Sequence, residues 1–587
     1  MNFFFRVWVV VVVFAFANRT STTKAQVVTN QMELNIAIRN ANAGTTITLA
    51  NGSWNNLQLV INKEGTATKP ITIQAETPNQ VFIEGNSNVE LGGNYIIFKG
   101  FVFQNASNLV ASDDRITSLI SLRAHGNNCN NCTVTNIKID HYNGTDVQKT
   151  AIFKWILVYG SFNEISYSSF IGKNGRGSII NDNRSDNLED YHKIHHNYFA
   201  SRKAVGVVNN LNDQDAIRIG TSTTSMSDSF TEVYDNFFYD WEGEVEIISN
   251  KSGKNKYYNN TFKNYSGTLT LRHGNGCEVF DNFFLADNRI FSGGIRVIGE
   301  NHKIYNNYIE STNALKPNGS RTKTTGAINI TNGRPNSELN GYFQVKNLIA
   351  VNNTFVNCDY GIRIGTQVNA TLTLAPDNIT LSNNLMLNTS RNAFEFITNP
   401  TASKYEGNIT QNGSWDLING INKNKTVTSN LLAAGTDFYR ITSKSSAIDA
   451  SVGSYPFLGK DLLGGNRIAA VDAGAEEFGA NGIKTPYKIS DVGRKIGFLA
   501  NTNSLNVAQQ TLKDIGVSVY PIPVKENFLN IKSLHKVIGN IKVYDMKGKL
   551  LKEKFRNTNF DTLNVQNLVK GIYIIKIDNS FGRFIVN

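Results

Sequence analysis

The sequence has little cysteine, little charge and no long apolar segment after its first residues. Its 587 residues include only 4 Cys, which excludes a small scaffold held together by disulfides. Charged residues make up 18% and apolar residues 40%, a balance that excludes a disordered polyelectrolyte and supplies a core. No later segment is apolar enough for a membrane helix, and no helical period separates the short apolar runs. The length suits several domains or one elongated repeat array.

The net charge of +11 lies mainly at the two ends of the chain. Residues 1–25 contain 3 basic residues and no acidic one, and residues 511–587 contain 13 basic and 6 acidic residues. The long stretch between them is nearly neutral. The overall charge therefore gives no reason to expect a nucleic-acid partner, and any anion-binding site has to be found locally.

The first residues have the pattern of an export signal. An early Arg6 is followed by an apolar run from Val7 to Ala17 and then by small polar residues up to Ala25. The run is too short to span a bilayer but suits the apolar core of a signal peptide. We expect residues 1–25 to be a signal peptide, the protein to be exported, and no stable membrane span to remain.

Two of the four cysteines, Cys129 and Cys132, form a CxxC pair in a polar stretch, GNNCNNCT. A structural zinc site would need a second pair of ligands, which the sequence does not offer nearby. Free thiols or a local disulfide are therefore favoured over a metal at this pair.

A short phrase recurs from about residue 90 to residue 390: an Asn followed two places later by a bulky apolar residue, among short β-branched and aromatic runs. Successive steps are 24, 22 and 25 residues, and a step of 46 residues is interpreted as two repeats. Leucine-rich repeats share this period, but their LxxLxLxxN pattern is missing. The recurring asparagines are Asn197, Asn236, Asn260, Asn282, Asn307, Asn353 and Asn384.

Short strands broken by Gly and Asn turns are typical of a parallel β-helix. We therefore predict an all-β protein whose residues 26–480 form a parallel β-helix, with stacked apolar residues and an inward asparagine ladder. Neighbouring coils of such a fold lie about 4.8 Å apart, so residues one repeat apart become neighbours in space. A catalytic group should then appear as polar residues one coil length apart.

One pair of segments meets that condition. In WEGEVEIISNKS, Glu244 and Glu246 share a strand face, and Lys251 follows five residues later. Arg272, in LTLRHGNG, lies 21 residues beyond Lys251, close to one coil. Two carboxylates, an ammonium and a guanidinium are thus predicted to form one surface patch. A ladder of surface salt bridges is the alternative interpretation, and it would contribute little stability.

The neighbouring coils add further candidates. Arg296 lies 24 residues beyond Arg272, and the preceding coil contains LNDQDAIRIG, where Asn212, Asp213 and Asp215 are candidate oxygen donors and Arg218 a candidate anion contact. Two carboxylates with an amide oxygen nearby suit a hard cation, and Ca²⁺ tolerates an irregular site of oxygen ligands.

The segments GEVEIISNKS, LTLRHGNG, DAIRIG and SGGIRVIGENH resemble polysaccharide lyase family 6, the alginate lyases and chondroitinase B type enzymes, over residues 27–480. The resemblance implies a right-handed parallel β-helix that cleaves a polyuronate by calcium-assisted β-elimination. It implies that Lys251 and Arg272 are catalytic, and that Glu244, Glu246 and Asn212 bind Ca²⁺, with Asp213 as a possible substitute for Asn212.

The same resemblance implies that His273, Arg296 and Arg218 contact the anionic polysaccharide. Alginate is the expected substrate, and chondroitin or dermatan sulfate the alternative. A hydrolase of the polygalacturonase type, with paired carboxylates, is disfavoured by the Lys and Arg at one coil spacing. A non-catalytic glycan-binding β-helix stays open, because a fold alone does not prove activity.

The end of the chain changes character. We interpret residues 481–512 as a linker and residues 513–587 as a small antiparallel β-sandwich, because VYPIPVKENFLNI, IKVYDMKGKLLKE and NVQNLVKGIYIIKI alternate like strands. These segments resemble the C-terminal sorting domain of the type IX secretion system, although Ile522 stands where the family usually has Asn. The resemblance implies a partner in that secretion machinery, and release from the cell or attachment to its surface.

Overall fold

The structure is a computed structural model that describes residues 26–112, 114–415, 420–468 and 470–494, and in the tail residues 510–511, 517–525, 527–533, 538–545, 549–578 and 580–586. The chain divides into two compact units, residues 1–498 and 499–587. The expected signal peptide lies outside the described residues. Among the helices that are described, none has the length and apolar character needed to cross a bilayer.

The first unit is a parallel β-helix built from three long sheets, in which strands pair parallel with their equivalents in the next coil. One short strand, Arg123–Ala124, instead pairs antiparallel with Asn127–Asn130. Sheet I contains Gln26–Val28, Thr46–Leu49, Ile71–Ala75, Ile96–Lys99, Thr133–Thr135, Glu164–Ser166, Lys193–His195, Glu232–Tyr234, Lys256–Tyr258, Glu278–Phe280, Lys303–Tyr305, Ile349–Val351, Thr380–Ser382 and Lys404–Glu406. Sheet II contains Gly52–Asn55, Val81–Gly85, Val102–Ala106, Lys138–Asp140, Ser169–Ile171, Tyr198–Arg202, Phe237–Trp241, Thr261–Tyr265, Phe283–Leu285, Tyr308–Glu310, Thr354–Val356, Leu385–Leu387, Ile409–Gln411 and Lys425–Val427.

Sheet III carries the candidate site. It contains Gln58–Glu64, Asn88–Asn94, Ile120–Ser121, Arg123–Ala124, Asn127–Asn130, Ile156–Val158, Ile180–Asp182, Ile217–Ile219, Glu246–Lys251, Gly267–His273, Ser292–Val297, Ile328–Thr331, Ile362–Thr366, Asn392–Phe396 and Ser414–Trp415. Two short antiparallel pairs lie outside the three sheets: Ala111–Ser112 with Arg115–Ile116, and Ala433–Ala434 with Tyr439–Arg440.

Helices are few. The α-helix Gln31–Asn40 begins where the Asn30 side chain accepts a hydrogen bond from the main-chain N–H of Glu33, a typical N-cap. Its apolar side packs into the core at the start of the β-helix through Leu34, Ala37 and Ile38. Two 3₁₀ turns, Asp146–Thr150 and Ser222–Thr224, lie between strands.

The recurring asparagines form the predicted buried ladder. Each Nδ2 donates to the Oδ1 of the next asparagine at 2.8–3.1 Å, from Asn197 through to Asn424. The same Oδ1 also accepts the main-chain N–H of the preceding ladder residue, for example Asn260 N to Asn282 Oδ1 at 2.9 Å. Buried amides paired in this way meet the requirement that polar groups in a core have partners.

The two-letter phrases HN, DN and NN have a backbone cause. The residue before each of the seven recurring asparagines has a positive φ, between 52° and 56°. Asn, Asp and His are the non-glycine residues that most readily adopt this left-handed conformation. The bulky residue two places after the asparagine faces inward, and Phe199, Phe238, Phe262 and Phe284 stack with centroid spacings of 4.7, 4.5 and 4.6 Å.

One step of the predicted repeat is wrong. The 46 residues from Asn307 to Asn353 were interpreted as two coils, but Asn307 Nδ2 donates directly to Asn353 Oδ1 at 2.9 Å, so they span a single coil. The extra length lies in long connections on either side of the strand Ile328–Thr331. Insertions of this kind are tolerated because loop-closure entropy grows slowly with length.

Residues 481–494, the first part of the segment interpreted as a linker, lie along the β-helix. Tyr487 donates its hydroxyl to Asp235 at 2.9 Å, and the main-chain N–H of Gly493 donates to the carbonyl of His196 at 2.7 Å. Cys129 and Cys132 form a disulfide, and Cys277 and Cys358 are buried free thiols.

The second unit is the predicted small β-sandwich. Its strands are Gln510–Thr511, Val517–Lys525, Phe528–Ser533, Ile538–Tyr544, Leu550–Thr558, Phe560–Asn564, Gly571–Ile577 and Ser580–Val586. Most neighbours pair antiparallel, and alternate residues such as Leu529, Ile531, Ile575 and Ile577 form a core of their own. The all-β prediction, a parallel β-helix followed by a sandwich, is confirmed.

Candidate active site

The candidate site lies on the outer face of sheet III. Inward positions of successive strands are apolar and in register, as in Ile217, Ile248, Leu269 and Ile295. The next position along each strand faces outward and carries Arg218, Ser249, Thr270 and Arg296 in the same register. The period of two along each strand thus places the apolar row in the core and a polar row on the surface.

The strand Glu246–Lys251 is irregular at both ends. The register with the next strand shifts between Glu246 and Ile248, and again between Asn250 and Lys251. The second shift pairs Lys251 with His273 and leaves Arg272 unpaired in the ladder between them. Bulges of this kind re-aim side chains and are frequent next to active sites. Lys251 and Arg272 follow the inward Asn250 and Leu271 and lie close enough for the charge of Arg272 to act on Lys251.

Three carboxylates lie buried beside Lys251. Glu244, Glu246 and Asp215 are 6%, 7% and 0% exposed. Glu244 Oε1 accepts the main-chain N–H of Gln214 at 2.8 Å, and the hydroxyl of Ser249 donates to Glu246 Oε2. Burial, and then the charges of Asp215 and Glu246, raise the pKa of Glu244 to about 8. The cluster is therefore short of positive charge.

Arg218 supplies part of that charge. Its Nε donates to Asp215 Oδ2 at 2.8 Å and its Nη2 to Asp215 Oδ1 at 3.2 Å. Its Nη1 donates to Asp213 Oδ1 at 2.8 Å, and its Nη2 lies 3.9 Å from Glu244 Oε1. Burial opposes the charged guanidinium, but these three carboxylates outweigh it and raise the pKa of Arg218. Arg218 is thus bound within the acidic cluster.

Lys251 is shifted towards its neutral form. Burial and then the nearby guanidinium of Arg218 lower its pKa from the usual value, with a smaller contribution from Arg272. The carboxylates of Glu246 and Asp215 act in the opposite direction but do not cancel the effect. A lysine with a lowered pKa can accept a proton, which an ordinary surface lysine cannot do near neutral pH.

Arg272 is held from several sides. Its Nε lies 3.9 Å from Glu246 Oε1, and its Nη1 and Nη2 donate to the carbonyl oxygens of Gly341 and Asn340 at 2.6 and 3.1 Å. The adjacent His273 is 2% exposed, with its Nδ1 3.3 Å from Arg272 Nη1. Burial, then Arg272 and Lys251, lower the pKa of His273 to about 2, so this imidazole is neutral and accepts from the guanidinium.

Arg296 is buried rather than open to solvent. It is 2% exposed, its Nη1 lies 3.4 Å from Glu246 Oε1, and its Nη2 donates to the hydroxyl of Tyr342 at 3.0 Å. Glu246 thereby contacts two guanidiniums, those of Arg272 and Arg296.

The structure does not bring the Asn212 side chain into this group. Asn212 is exposed, and its main-chain carbonyl accepts from Arg176 Nε at 3.3 Å. Asp213 lies between Arg218 and Arg176, at 2.8 and 2.9 Å. Asp215, immediately before the strand segment AIRIG, is the carboxylate whose charge acts most strongly on Glu244. The fixed register of the strand decides this, because Asn212 lies in the more variable turn before it.

Two parts of the site were missed by sequence reasoning. Lys154 lies near Arg218, and burial, followed by that charge, lowers its pKa to about 8. The other part is the connection containing Asn340, Gly341 and Tyr342, which reaches Arg272 from a later coil. The unusual 46-residue step was the signal for this insertion.

A second acidic group, Asp182, Asp190 and His192, is compact enough to hold a metal. However, His192 Nδ1 accepts the main-chain N–H of Asn163 at 3.1 Å, so Nε2 carries the proton of the neutral ring and has no lone pair to offer. Asp190 is already paired with Arg184, with Nε 2.6 Å from Oδ2. This group does not have the donor chemistry of a metal site.

The sequence model of the family described as Chondroitinase B matches residues 28–451. The model described as Secretion system C-terminal sorting domain matches residues 518–586, and this tail marks the protein for export to the cell surface or the exterior. Among curated proteins, none matches the chain at a significant level.

The chain is also similar to solved structures of PL6 family lyases. The PL6 family alginate lyase AlyGC is 30% identical over 74% of this chain and 59% of its own, with a TM-score of 0.63. An arginine-substituted variant of AlyGC is 27% identical over 83% of this chain and 60% of its own, with a TM-score of 0.66. This chain thus spans about 60% of the length of those proteins. A PL6 family polysaccharide lyase from Pseudopedobacter saltans, 22% identical over 80% of this chain and 99% of its own, shares the fold with a TM-score of 0.58.

Proposed function

Because the chain belongs to the chondroitinase B family, we propose that it is an exported polysaccharide lyase that cleaves alginate by calcium-assisted β-elimination. The observation that carries this proposal is the group on sheet III: Lys251 with a lowered pKa, Arg272 beside it, and buried carboxylates within the same patch. A ladder of surface salt bridges would not need three buried carboxylates next to a lysine shifted towards neutrality.

Lys251 is proposed as the base. In a polyuronate the C5 proton lies next to a carboxylate, so removing it places a second negative charge on that carboxyl group. The Nζ of Lys251 takes the C5 proton, the electrons of the C–H bond form the C4–C5 double bond, and the bond from C4 to the glycosidic oxygen breaks with its electron pair on that oxygen. The leaving oxygen then takes up a proton and becomes a hydroxyl, which balances the proton lost from C5. The product is a 4,5-unsaturated uronate, and no water is consumed.

Arg272 is proposed to stabilise the developing charge and to orient the sugar. A guanidinium keeps its proton at neutral pH, so its role is electrostatic and geometric rather than that of a strong proton donor. Arg218 and His273 lie in the same patch, one as a fixed positive charge and the other as a neutral ring that accepts from Arg272. Arg296 is buried, and we propose that it holds the side chains of Glu246 and Tyr342 in position.

The donor set fits a hard cation. Glu244, Glu246 and Asp215 offer buried carboxylate oxygens, and burial, followed by the charges of Asp215 and Glu246, raises the pKa of Glu244. Oxygen-only ligands of this kind suit Ca²⁺. When bound, Ca²⁺ would supply a positive charge at the substrate carboxylate. We propose Asp215 as the third ligand in place of Asn212, because Asp215 is buried beside Glu244 whereas Asn212 is exposed.

Alginate is favoured as the substrate because AlyGC, at 30% identity, is described as an alginate lyase. Chondroitin or dermatan sulfate is the second candidate, since the matching family is described as Chondroitinase B. The experiment is to incubate the purified chain with polyguluronate, polymannuronate, chondroitin sulfate and dermatan sulfate, with Ca²⁺ or with a chelator. The rise in ultraviolet absorbance from the new double bond reports cleavage.

Lys251→Ala is expected to reduce the rate by about 10³-fold or more, because it removes the base. Lys256→Ala, five residues on and on the outer face of sheet I, is the matched control and is expected to keep the wild-type rate. Products without a double bond would indicate a hydrolase. Binding of a polyuronate without cleavage by the wild type would indicate a non-catalytic glycan-binding protein.

A further inference from the structure

Residues 334–344, which we call the strap, form a long insertion between the sheet III strand Ile328–Thr331 and the sheet I strand Ile349–Val351. The base of the strap is closed. Gly333 exchanges two main-chain hydrogen bonds with Leu374, at 2.8 and 2.9 Å, and the N–H of Arg334 donates to the carbonyl of Tyr342 at 2.8 Å. The strap is therefore an anchored element with a defined path.

The strap runs back along the candidate site. The carbonyl of Leu339, near its tip, lies 3.5 Å from the hydroxyl of Ser225. Ser225 follows the strand Ile217–Ile219, which lies four positions before Ile328–Thr331 in sheet III. The strands that carry Lys251 and Arg272 lie between these two strands, which are about 19 Å apart at about 4.8 Å per coil. The strap crosses that distance and so covers the side of these coils.

Three contacts join the strap to Arg272. Two of them are the hydrogen bonds from its Nη1 and Nη2 to the carbonyls of Gly341 and Asn340. In the third, the guanidinium lies over the ring of Tyr342, 4.3 Å from its centroid. With Glu246 near its Nε, the side chain is bounded on two sides, so its rotamer freedom is lost on folding rather than on substrate binding.

Tyr342 also contacts the second guanidinium of the patch. Its hydroxyl accepts from Arg296 Nη2 at 3.0 Å, and the same guanidinium lies 5.6 Å from the ring centroid. Glu246 on one side and Tyr342 on the other thus hold both arginines. In this arrangement the role of Arg296 is to hold Tyr342 and Glu246 in place.

We propose that the strap positions Arg272 for the reaction, and that Tyr342 is the positioning residue through which it does so. This inference rests on the proposed function, because it assigns an element to the same site. The strap would then belong to the active site, although it does not lie in the coils that carry the sequence motifs.

The first test compares Tyr342→Ala with Tyr342→Phe. Tyr342→Ala removes the ring under Arg272, so kcat on the best polyuronate is expected to fall about 10–100-fold with KM changed less than 3-fold. Tyr342→Phe keeps the ring and loses only the hydroxyl, and it is expected to stay within about 5-fold of the wild type. In an Arg272→Ala background, Tyr342→Ala is expected to cause no further loss, because its effect passes through Arg272.

Tyr360→Ala is the matched control. Arg363 lies over the ring of Tyr360, 4.0 Å from its centroid, so the same type of pair is removed elsewhere on sheet III. Wild-type kinetics are expected for this variant. An increase in activity in Tyr342→Ala would overturn the proposal, because it would make the strap an inhibitory cover. Additive losses in the double variant would overturn it too.

A second measurement does not depend on activity. Hydrogen exchange of the main-chain amides in residues 334–344 is expected to speed up at least 10-fold in both Arg272→Ala and Tyr342→Ala, and to stay unchanged in Tyr360→Ala. Unchanged exchange in Arg272→Ala would overturn the proposal whether or not the wild type is active. If the wild type cleaves no polyuronate while exchange responds as expected, the proposed function fails and the coupling between strap and arginine stands.

Discussion

Individual charges in the site depend on one another because most of them are buried. Arg218 binds Asp215 and approaches Glu244, and the same guanidinium helps to lower the pKa of Lys251. Removing one charge therefore changes the state of several neighbours, and single substitutions here report on the group. Substitutions are informative when they remove one ligand atom and leave the pairs around it intact.

Asp215 and Asn212 can be separated by a calcium titration. Asp215→Asn is expected to weaken Ca²⁺ binding about 10–100-fold, because it removes a buried carboxylate that faces Glu244. Asn212→Ala is expected to change the affinity less than 2-fold, since that side chain is exposed. Isothermal titration calorimetry without substrate measures both. If only Asn212→Ala lost Ca²⁺ binding, Asn212 would be the ligand, as the sequence predicts, and Asp215 would not.

Asp281 is expected to make stability depend on pH. Its Oδ1 is buried and has no hydrogen-bond partner among the described residues, and burial raises its pKa to about 7. The folded state then holds a proton that the unfolded state releases near pH 4, so stability falls as the pH rises from about 4 to 7.

Asp281→Asn removes this titration. The variant is expected to be about 2–4 kcal/mol more stable than the wild type at pH 8 and nearly equal to it at pH 4, from about 1.4 kcal/mol per unit of pKa shift. Urea unfolding followed by the fluorescence of the buried Trp155 and Trp241 measures it. Asp287→Asn, at an exposed position nearby, is the control. An equal gain at both pH values would argue for a packing effect instead.

At the scale of elements, the asparagine ladder fastens each coil to the next. Asn282 is fully buried, and its Oδ1 accepts two hydrogen bonds from Asn260, one from the main chain and one from the side chain. Asn282→Ala leaves those donors without an acceptor, and it is expected to lower the free energy of unfolding by about 2–4 kcal/mol.

An exposed ladder supplies the comparison. Asn347 donates to Asn301 at 2.9 Å and accepts from Asn378 at 2.7 Å, but all three are exposed. Asn347→Gly is expected to cost less than about 1 kcal/mol, because water replaces the partners and glycine tolerates its φ of 53°. Equal losses at the two positions would mean that burial does not decide the contribution of a ladder.

Residues at repeated positions of the coils could be predicted from the sequence, and residues in inserted turns could not. The ladder asparagines follow from the recurring phrase, because each coil places the same residue at the same bend. Lys251 and Arg272 were predicted to meet from their one-coil spacing, and the structure brings both to Glu246. Tyr342 and Lys154 could not be predicted in this way, since the turns that carry them differ in length from coil to coil.

At the scale of the whole chain, the two units have separate cores. The large apolar cluster of the β-helix runs from Val28 to Trp415, and that of the tail from Val517 to Phe584. The residues of the candidate site all belong to the first unit, and the match to the sorting domain lies wholly in the second. Chemistry and export are therefore assigned to different parts of one chain.

A chain that ends after residue 498 tests this division. It retains the strands of sheets I, II and III together with residues 481–494, which contact the β-helix. Its kcat and KM are expected to stay within about 2-fold of the full-length values, because no residue of the candidate site is removed.

In the producing cell, however, the truncated chain is expected to remain inside the outer membrane, because the type IX machinery no longer finds its signal. Fractionation of cells and medium, with lyase activity per mole of protein in each fraction, measures both effects. Full export of the truncated chain would contradict the role of the tail, and a large loss of activity in the purified chain would place part of the site's support in residues 499–587.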